Sequence, residues 1–75
     1  MKQYRSETRD AVRRFRYRQL SFATCISRLD AALVRFMLRM KIEDRDELRA
    51  VMLANNEAVM KEVAERGART RSFPH

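Results

Sequence analysis

Basic side chains recur along the N-terminal segment at a spacing suited to binding phosphate groups. Five of them, Lys2, Arg5, Arg9, Arg13 and Arg16, are separated by three or four residues, so on an α-helix they share one stripe. The planar guanidinium group of arginine binds phosphate oxygens through two parallel hydrogen bonds and also stacks on bases. We therefore predict that this stripe contacts the backbone of DNA or RNA. The full predicted set is Lys2, Arg5, Arg9, Arg13, Arg14, Arg16 and Arg18.

A second interpretation makes this stripe a solvated face whose arginines pair with acidic side chains of the same chain. The acids available to it are Glu7, Asp10, Glu57, Glu62 and Glu65. The first 20 residues nevertheless carry seven basic and two acidic side chains, which favours an external anion. Tyr17 and Tyr4 are candidates for stacking on bases.

The rare residue types exclude several kinds of active site. Cys25 is the only cysteine and His75 the only histidine, so the chain has neither a disulfide pair nor a zinc-binding set. Gly67 is the only glycine, which excludes a glycine-rich phosphate loop. We predict no catalytic activity, no cofactor, no metal and no small-molecule substrate. The lone cysteine also favours a reducing, cytoplasmic location.

The elements that position the basic stripe are helices, because no glycine or proline interrupts residues 1–66. Apolar residues spaced by three and four predict one long helix over about residues 6–41, although Ser21 is an alternative helix start that would split it near Gln19 and Leu20. Asp44 and Glu47 resemble a capping box and predict a second helix over about residues 45–66, ending before Gly67. The two helices are expected to form an antiparallel hairpin. Residues 1–67 would then be one helical domain, and residues 68–75 a flexible basic tail.

The C-terminal half of the predicted long helix is apolar around much of its circumference. One apolar set, the seam, comprises Leu29, Leu33, Phe36 and Met40. A second set beside it comprises Ala31, Val34, Leu38 and Ile42, and one partner helix cannot cover both sets. We therefore expect a homodimer that forms a four-helix bundle. Asn55 lies on the apolar face of the predicted second helix. It is either a buried amide that fixes the register of the helices in the dimer or a residue at the rim of the interface that faces water. The predicted partner interface comprises Leu29, Leu33, Val34, Phe36, Met37 and Leu38.

These features favour two functions for this chain of 75 residues and net charge +7. The first is a small accessory or regulatory protein, not an enzyme, that contacts nucleic-acid backbone without implied sequence specificity. The alternative is a helical adaptor or inhibitor, of the kind that phages or mobile elements encode, which docks on the acidic surface of a larger protein complex. No stretch of about 20 apolar residues is present, so we expect no membrane span.

Overall fold

Three helices follow one another along the chain: α1 (Lys2–Arg16), α2 (Phe22–Met37) and α3 (Arg45–Arg71). A short 3-10 turn, Ile42–Asp44, precedes α3. The computed structural model describes the backbone of residues 1–71 and the side chains of residues 1–68. Over residues 1–71 no strand forms, which confirms the all-α prediction. Within the same residues, no helix combines the length and the apolar character needed to cross a bilayer.

The predicted unbroken helix over residues 6–41 is wrong, because the chain reverses between Arg16 and Phe22. The alternative start at Ser21 is the one that forms. The Ser21 Oγ accepts a hydrogen bond from the Thr24 backbone N–H at 3.1 Å, which satisfies one of the free donors at the start of α2.

Arg18 closes the end of α1 in a left-handed conformation, with φ of 62°. The Gln19 N–H donates to the Arg14 carbonyl at 2.7 Å, and the Arg18 N–H donates to the Phe15 carbonyl at 3.1 Å. These two bonds form a Schellman motif, in which glycine usually holds the position of Arg18. The three-and-four spacing of apolar residues continues across the turn, so this spacing alone does not reveal that the helix is interrupted.

α2 packs antiparallel against α1. The Tyr4 ring, near the start of α1, stacks on Phe36 near the end of α2, with centroids 5.2 Å apart. Further along, the Cys25 thiol donates to the Ala11 carbonyl at 3.6 Å. Low residue numbers of α1 therefore meet high residue numbers of α2.

α3 runs parallel to α1. Near their N-terminal ends the Arg5 guanidinium binds Glu47 at 2.6 Å, and near the end of α1 the Arg66 Nη2 donates to the Phe15 carbonyl at 2.6 Å. The predicted hairpin between one long helix and an antiparallel partner is thus replaced by three helices, because the chain folds back at Arg18. Only α2 is antiparallel to α3.

Two apolar clusters hold the helices together. Phe15 is fully buried at the centre of the first cluster, and burial of such a side chain contributes about 1.5–3 kcal/mol to stability. The first cluster comprises Ala11, Val12, Phe15, Cys25, Leu29 and Val59. The second is built on Tyr4, Ala32 and Leu48, with Leu33, Phe36, Met40, Val51 and Met52 packed against it.

The start of α3 at Arg45 confirms the predicted start, whereas its cap and its C-terminal end differ from the sequence prediction. At its start, Asp44 accepts a 3.4 Å hydrogen bond from the Lys41 N–H, while Glu47 binds Arg5. The capping box predicted between Asp44 and Glu47 does not form, because the 3-10 turn leads directly into α3. The helix does not end at Gly67 but continues to Arg71, since Gly67 adopts no positive φ. The predicted tail therefore begins inside α3, and its residues 72–75 lie outside the described part of the chain.

Candidate nucleic-acid interface

A groove of about 580 Å³ lies between the parallel helices α1 and α3. It exists because α3 presents the small side chains Ala54 and Ala58 where the long basic side chains of α1 stand opposite. One wall is basic and the other is mostly apolar. The lining residues are Arg5, Arg9, Val12, Arg13, Arg16, Tyr17, Val51, Ala54, Asn55, Ala58 and Glu62.

Four of the five residues of the predicted stripe line this groove together. Arg5, Arg9, Arg13 and Arg16 all lie on α1, and each four-residue step advances by about 6 Å along the helix axis. Lys2 is exposed on the same helix, one turn before the groove.

Two arginines of the groove have no ion-pair partner among the described side chains. Arg9 and Arg16 are exposed and form no salt bridge with any side chain of residues 1–68. Arg16 lies along a second, smaller groove that Glu57, Glu62 and Glu65 also line, but it forms no ion pair with these three acids. The interpretation in which α3 acids neutralise the stripe thus fails at Arg9 and Arg16 in the described structure.

The other arginines of the predicted set are partly neutralised at the surface. Arg5 binds Glu47 at 2.6 Å, while Arg13 and Arg14 share Asp10 at 3.0 and 2.9 Å. Exposed pairs of this kind contribute only about 0–1 kcal/mol. A phosphate group can therefore displace the carboxylates at small cost.

The arginines around Asp10 lower the pKa of its carboxyl group. Desolvation opposes its ionisation, but hydrogen bonds and charge from Arg13 and Arg14 outweigh that effect and hold the pKa of Asp10 below its ordinary value. Asp10 is therefore ionised at neutral pH. Its single negative charge is shared by the guanidinium groups of Arg13 and Arg14, so this part of α1 keeps a net positive charge.

Arg14 and Arg18 lie outside the groove lining. Both are exposed, Arg14 bonded to Asp10 and Arg18 in the turn after α1. The structure thus brings Arg5, Arg9, Arg13 and Arg16 together and leaves Lys2, Arg14 and Arg18 as flanking cations.

The amide of Asn55 on α3 also borders the groove. Its Nδ2 is shielded from solvent and has no hydrogen-bond partner among the residues that the structure describes, a state that costs about 1–3 kcal/mol. The residue as a whole is half-buried, between the buried amide and the rim position that the sequence left open.

The two tyrosines have different environments. Tyr17 is 72% exposed at the end of α1 and lines the groove. Tyr4 is buried against Phe36, and this burial raises the pKa of its phenol. The expectation that Tyr4 stacks on bases is therefore wrong, because its ring belongs to the second core cluster.

Arg66 is a residue that sequence reasoning missed. Its guanidinium lies 4.3 Å from the centroid of the Phe15 ring, donates to the Phe15 carbonyl and binds Glu62 at 2.8 Å. It thereby places a positive charge beside the carbonyl groups at the C-terminal end of α1, where the helix dipole favours a cation. The sequence signal was a Glu and an Arg four residues apart, but only the packing of α3 on α1 shows the target.

The structure divides the predicted partner interface into two groups. Leu29 is buried in the first cluster, and Leu33 and Phe36 pack against the second, so these three residues serve the interior of one copy. Val34, Met37 and Leu38 are exposed, and Ile42 extends the surface beyond them. We call Val34, Met37, Leu38 and Ile42 the apolar strip.

Chemistry at Cys25 has no access from solvent. The thiol is buried in the first cluster, and desolvation raises its pKa, an effect that the charge of Arg28 only partly offsets. A neutral thiol is a poor nucleophile. Among the described residues, no three His, Cys, Asp or Glu side chains are grouped in a way that could hold a metal ion.

Comparison of the chain with models of known protein families, with curated protein sequences and with solved structures finds no match.

Proposed function

We propose that this protein is a small accessory or regulatory factor, without enzymatic activity, that contacts the backbone of nucleic acid through α1. One observation carries the proposal: Arg5, Arg9, Arg13 and Arg16 line one wall of a single groove, and two of them have no ion-pair partner among the described side chains. Phosphate is the anion that best matches several guanidinium groups in a row.

The charge of α1 supports the same proposal. This helix carries six basic and two acidic residues, and one of its acids, Glu7, is bound to Arg35 of α2 at 2.8 Å. The cations therefore outnumber the carboxylates that face them. Such a surface attracts a polyanion at long range and loses affinity as salt screens it.

A salt titration of binding tests the proposal with a charge-matched control. The test variant carries Arg9→Glu and Arg16→Glu, which break no ion pair of the described structure. The control carries Arg28→Glu and Arg49→Glu, two exposed arginines on other helices with the same change in net charge. Affinity for a labelled DNA or RNA fragment is measured by fluorescence anisotropy at several salt concentrations.

We expect the test variant to bind much more weakly, with the log–log salt slope reduced by about 0.9 for each duplex phosphate that is no longer neutralised. The control should be affected much less. Equal weakening in the two variants would show that only net charge matters and would contradict an interface on α1. An absence of binding by the unaltered protein at low salt would leave the acidic-protein adaptor as the better function.

A second proposal concerns the apolar strip, and its occupant is another copy of this chain. Leu38 and Ile42 are 83% and 84% exposed, and a monomer gains nothing from exposing adjoining apolar residues. Asp30 lies one turn before Val34, whereas Arg39 and Lys41 lie at the other end. An antiparallel second copy would therefore set opposite charges face to face, as a two-fold interface requires.

A further inference from the structure

We infer that the groove between α1 and α3 receives a base of an unpaired strand while the arginines beside it hold the phosphates, so that the protein prefers unpaired nucleic acid to duplex. This inference rests on the proposed function and adds a choice of strand state to it. The shared chemistry of its ligand is the alternation of phosphate and planar base, which both DNA and RNA supply.

The two walls of the groove differ in a way that duplex binding does not require. Arg5, Arg9, Arg13 and Arg16 form the α1 side, whereas Val51, Ala54 and Ala58 form an apolar surface on α3. A duplex presents phosphates and keeps its bases stacked inside, so it has no apolar group to place against these side chains. An unpaired strand exposes base faces together with phosphates.

The size of the groove suits one such insertion. Its volume of about 580 Å³ falls within the range of about 300–1,000 Å³ that is typical of small-molecule sites. Val12 completes the apolar lining from the α1 side. A single base with its sugar can therefore leave water without opening the packed clusters.

Asn55 supplies a polar group at the same place. Its Nδ2 has no hydrogen-bond partner among the described residues, and the residue lines the groove. Every base carries carbonyl or ring-nitrogen acceptors on its edges. A base lying on Ala54 and Ala58 thus brings such an acceptor close to the amide of Asn55.

Tyr17 adds a stacking surface at the mouth of the groove. Its ring is 72% exposed at the end of the arginine stripe, next to Arg16. A positively charged groove combined with an exposed aromatic ring is the usual arrangement for holding unpaired strands without sequence preference.

The first test compares strand states at constant low salt. Fluorescein-labelled oligothymidylate and oligouridylate of about a dozen nucleotides are titrated with the full chain, alongside a DNA duplex of equal length. We expect at least about tenfold tighter binding to the better of the two unpaired strands than to the duplex, consistent with stacking of one base. The two unpaired probes show whether deoxyribose or ribose is preferred.

The second test fills the groove without changing charge. Ala54→Leu places a larger side chain in the groove lining, whereas Ala50→Leu adds the same group at an exposed position one turn earlier that does not line it. Ala54→Leu should weaken binding of the unpaired strand about tenfold and binding of the duplex much less, and Ala50→Leu should change neither. Tyr17→Ala should weaken the unpaired complex, and Tyr17→Phe should restore it, because phenylalanine keeps the ring.

The outcomes separate this inference from the proposed function. Equal affinity for duplex and unpaired strands, with continued dependence on Arg9 and Arg16, would overturn the inference and leave backbone contact standing. A preference for unpaired strands that survives Ala54→Leu would overturn the groove as its origin. An absence of binding to any probe at low salt would overturn both. Circular dichroism confirms that each variant remains helical.

Discussion

Arg18 occupies a backbone conformation that is unusual for a residue with a side chain. Its φ of 62° brings the Cβ atom close to neighbouring backbone, at a cost of about 1 kcal/mol relative to glycine. The hydrogen bonds of Gln19 and Arg18 to the end of α1 and the burial of Phe15 offset this cost. The residue thus shows that packing, and not local preference, selects the turn.

Replacing Arg18 by glycine should stabilise the protein. We expect Arg18→Gly to raise the free energy of unfolding by about 0.5–1 kcal/mol, because glycine adopts positive φ without a Cβ clash. Urea unfolding followed by circular dichroism measures the change. Arg18→Ala is the matched control, since it removes the same charge but keeps the Cβ atom and should not stabilise. A decrease in stability in Arg18→Gly would contradict the left-handed turn.

Sequence spacing predicts the ion-pair partners of some arginines of α1 but not of others. Arg13 and Arg14 find their acid one turn away in Asp10, a pairing that spacing alone predicts. Arg5 finds Glu47, 42 positions further on, which no local pattern indicates. The packing of α3 on α1 also leaves Arg9 and Arg16 without an ion-pair partner, because no described carboxylate of α3 comes within ion-pair distance of them.

At the scale of elements, α3 continues through Gly67 where the sequence predicts its end. Glycine after a helical segment is the usual C-terminal signal, but that signal requires the chain to turn away through a positive φ. No such φ occurs at Gly67, and a Cβ atom added there would meet nothing within 4 Å. Gly67 is therefore an ordinary exposed helix position.

Substitution of this glycine distinguishes a helix interior from a cap. Gly67→Ala should raise the free energy of unfolding by roughly 0.5–1 kcal/mol, because alanine restricts the unfolded chain and favours helix. Chemical denaturation measures the change, and Ala68→Gly at the next exposed position should lower stability by a similar amount. A destabilising Gly67→Ala would place a positive φ at this residue and restore the predicted end of the helix.

Arg66 is one of the residues that join α3 to α1. This side chain reaches from α3 to the last turn of α1, where it contacts the Phe15 ring and carbonyl, and its bond to Glu62 keeps it in place. Glu62 is itself buried and requires a compensating charge. The groove is therefore held at one end by Arg66 and near the other by the Arg5–Glu47 pair.

At the scale of the whole molecule, the basic groove and the apolar strip are separate surfaces. The groove lies between α1 and α3, whereas the strip lies on the C-terminal part of α2 and the following turn. Two copies joined through their strips would keep both grooves open. Such a dimer would present two basic sites to one polynucleotide and gain avidity from the second contact.

Sedimentation velocity at micromolar concentration tests the dimer. We expect the unaltered protein to sediment as a dimer and Leu38→Glu to sediment as a folded monomer, because a carboxylate cannot be buried against a second strip without a large desolvation penalty. Leu53→Glu is the control, since Leu53 is an exposed leucine of α3 outside the strip. A monomeric unaltered protein would contradict the self-association proposal, as would dissociation of both variants.

Sequence periodicity predicts the helical class and the stripe Arg5, Arg9, Arg13 and Arg16, because both depend on contacts within one or two turns. It also predicts the exposed second set of Val34, Leu38 and Ile42, since one partner helix covers only one face. The roles of Leu29, Leu33 and Phe36 are less predictable from sequence. These side chains resemble interface residues until α1 folds back and covers them.

The sequence by itself determined that this chain is helical, that its positive charge concentrates in the first 20 residues and that α2 has more apolar surface than one neighbour covers. These are consequences of residue type and of spacing over three or four positions. The tertiary structure alone decided the reversal at Arg18, the parallel course of α1 and α3, and therefore the groove with its unpaired arginines and Asn55. The physical reason is one of magnitude: the left-handed conformation of Arg18 costs about 1 kcal/mol, whereas burying Phe15 and its neighbours across three helices contributes several times more.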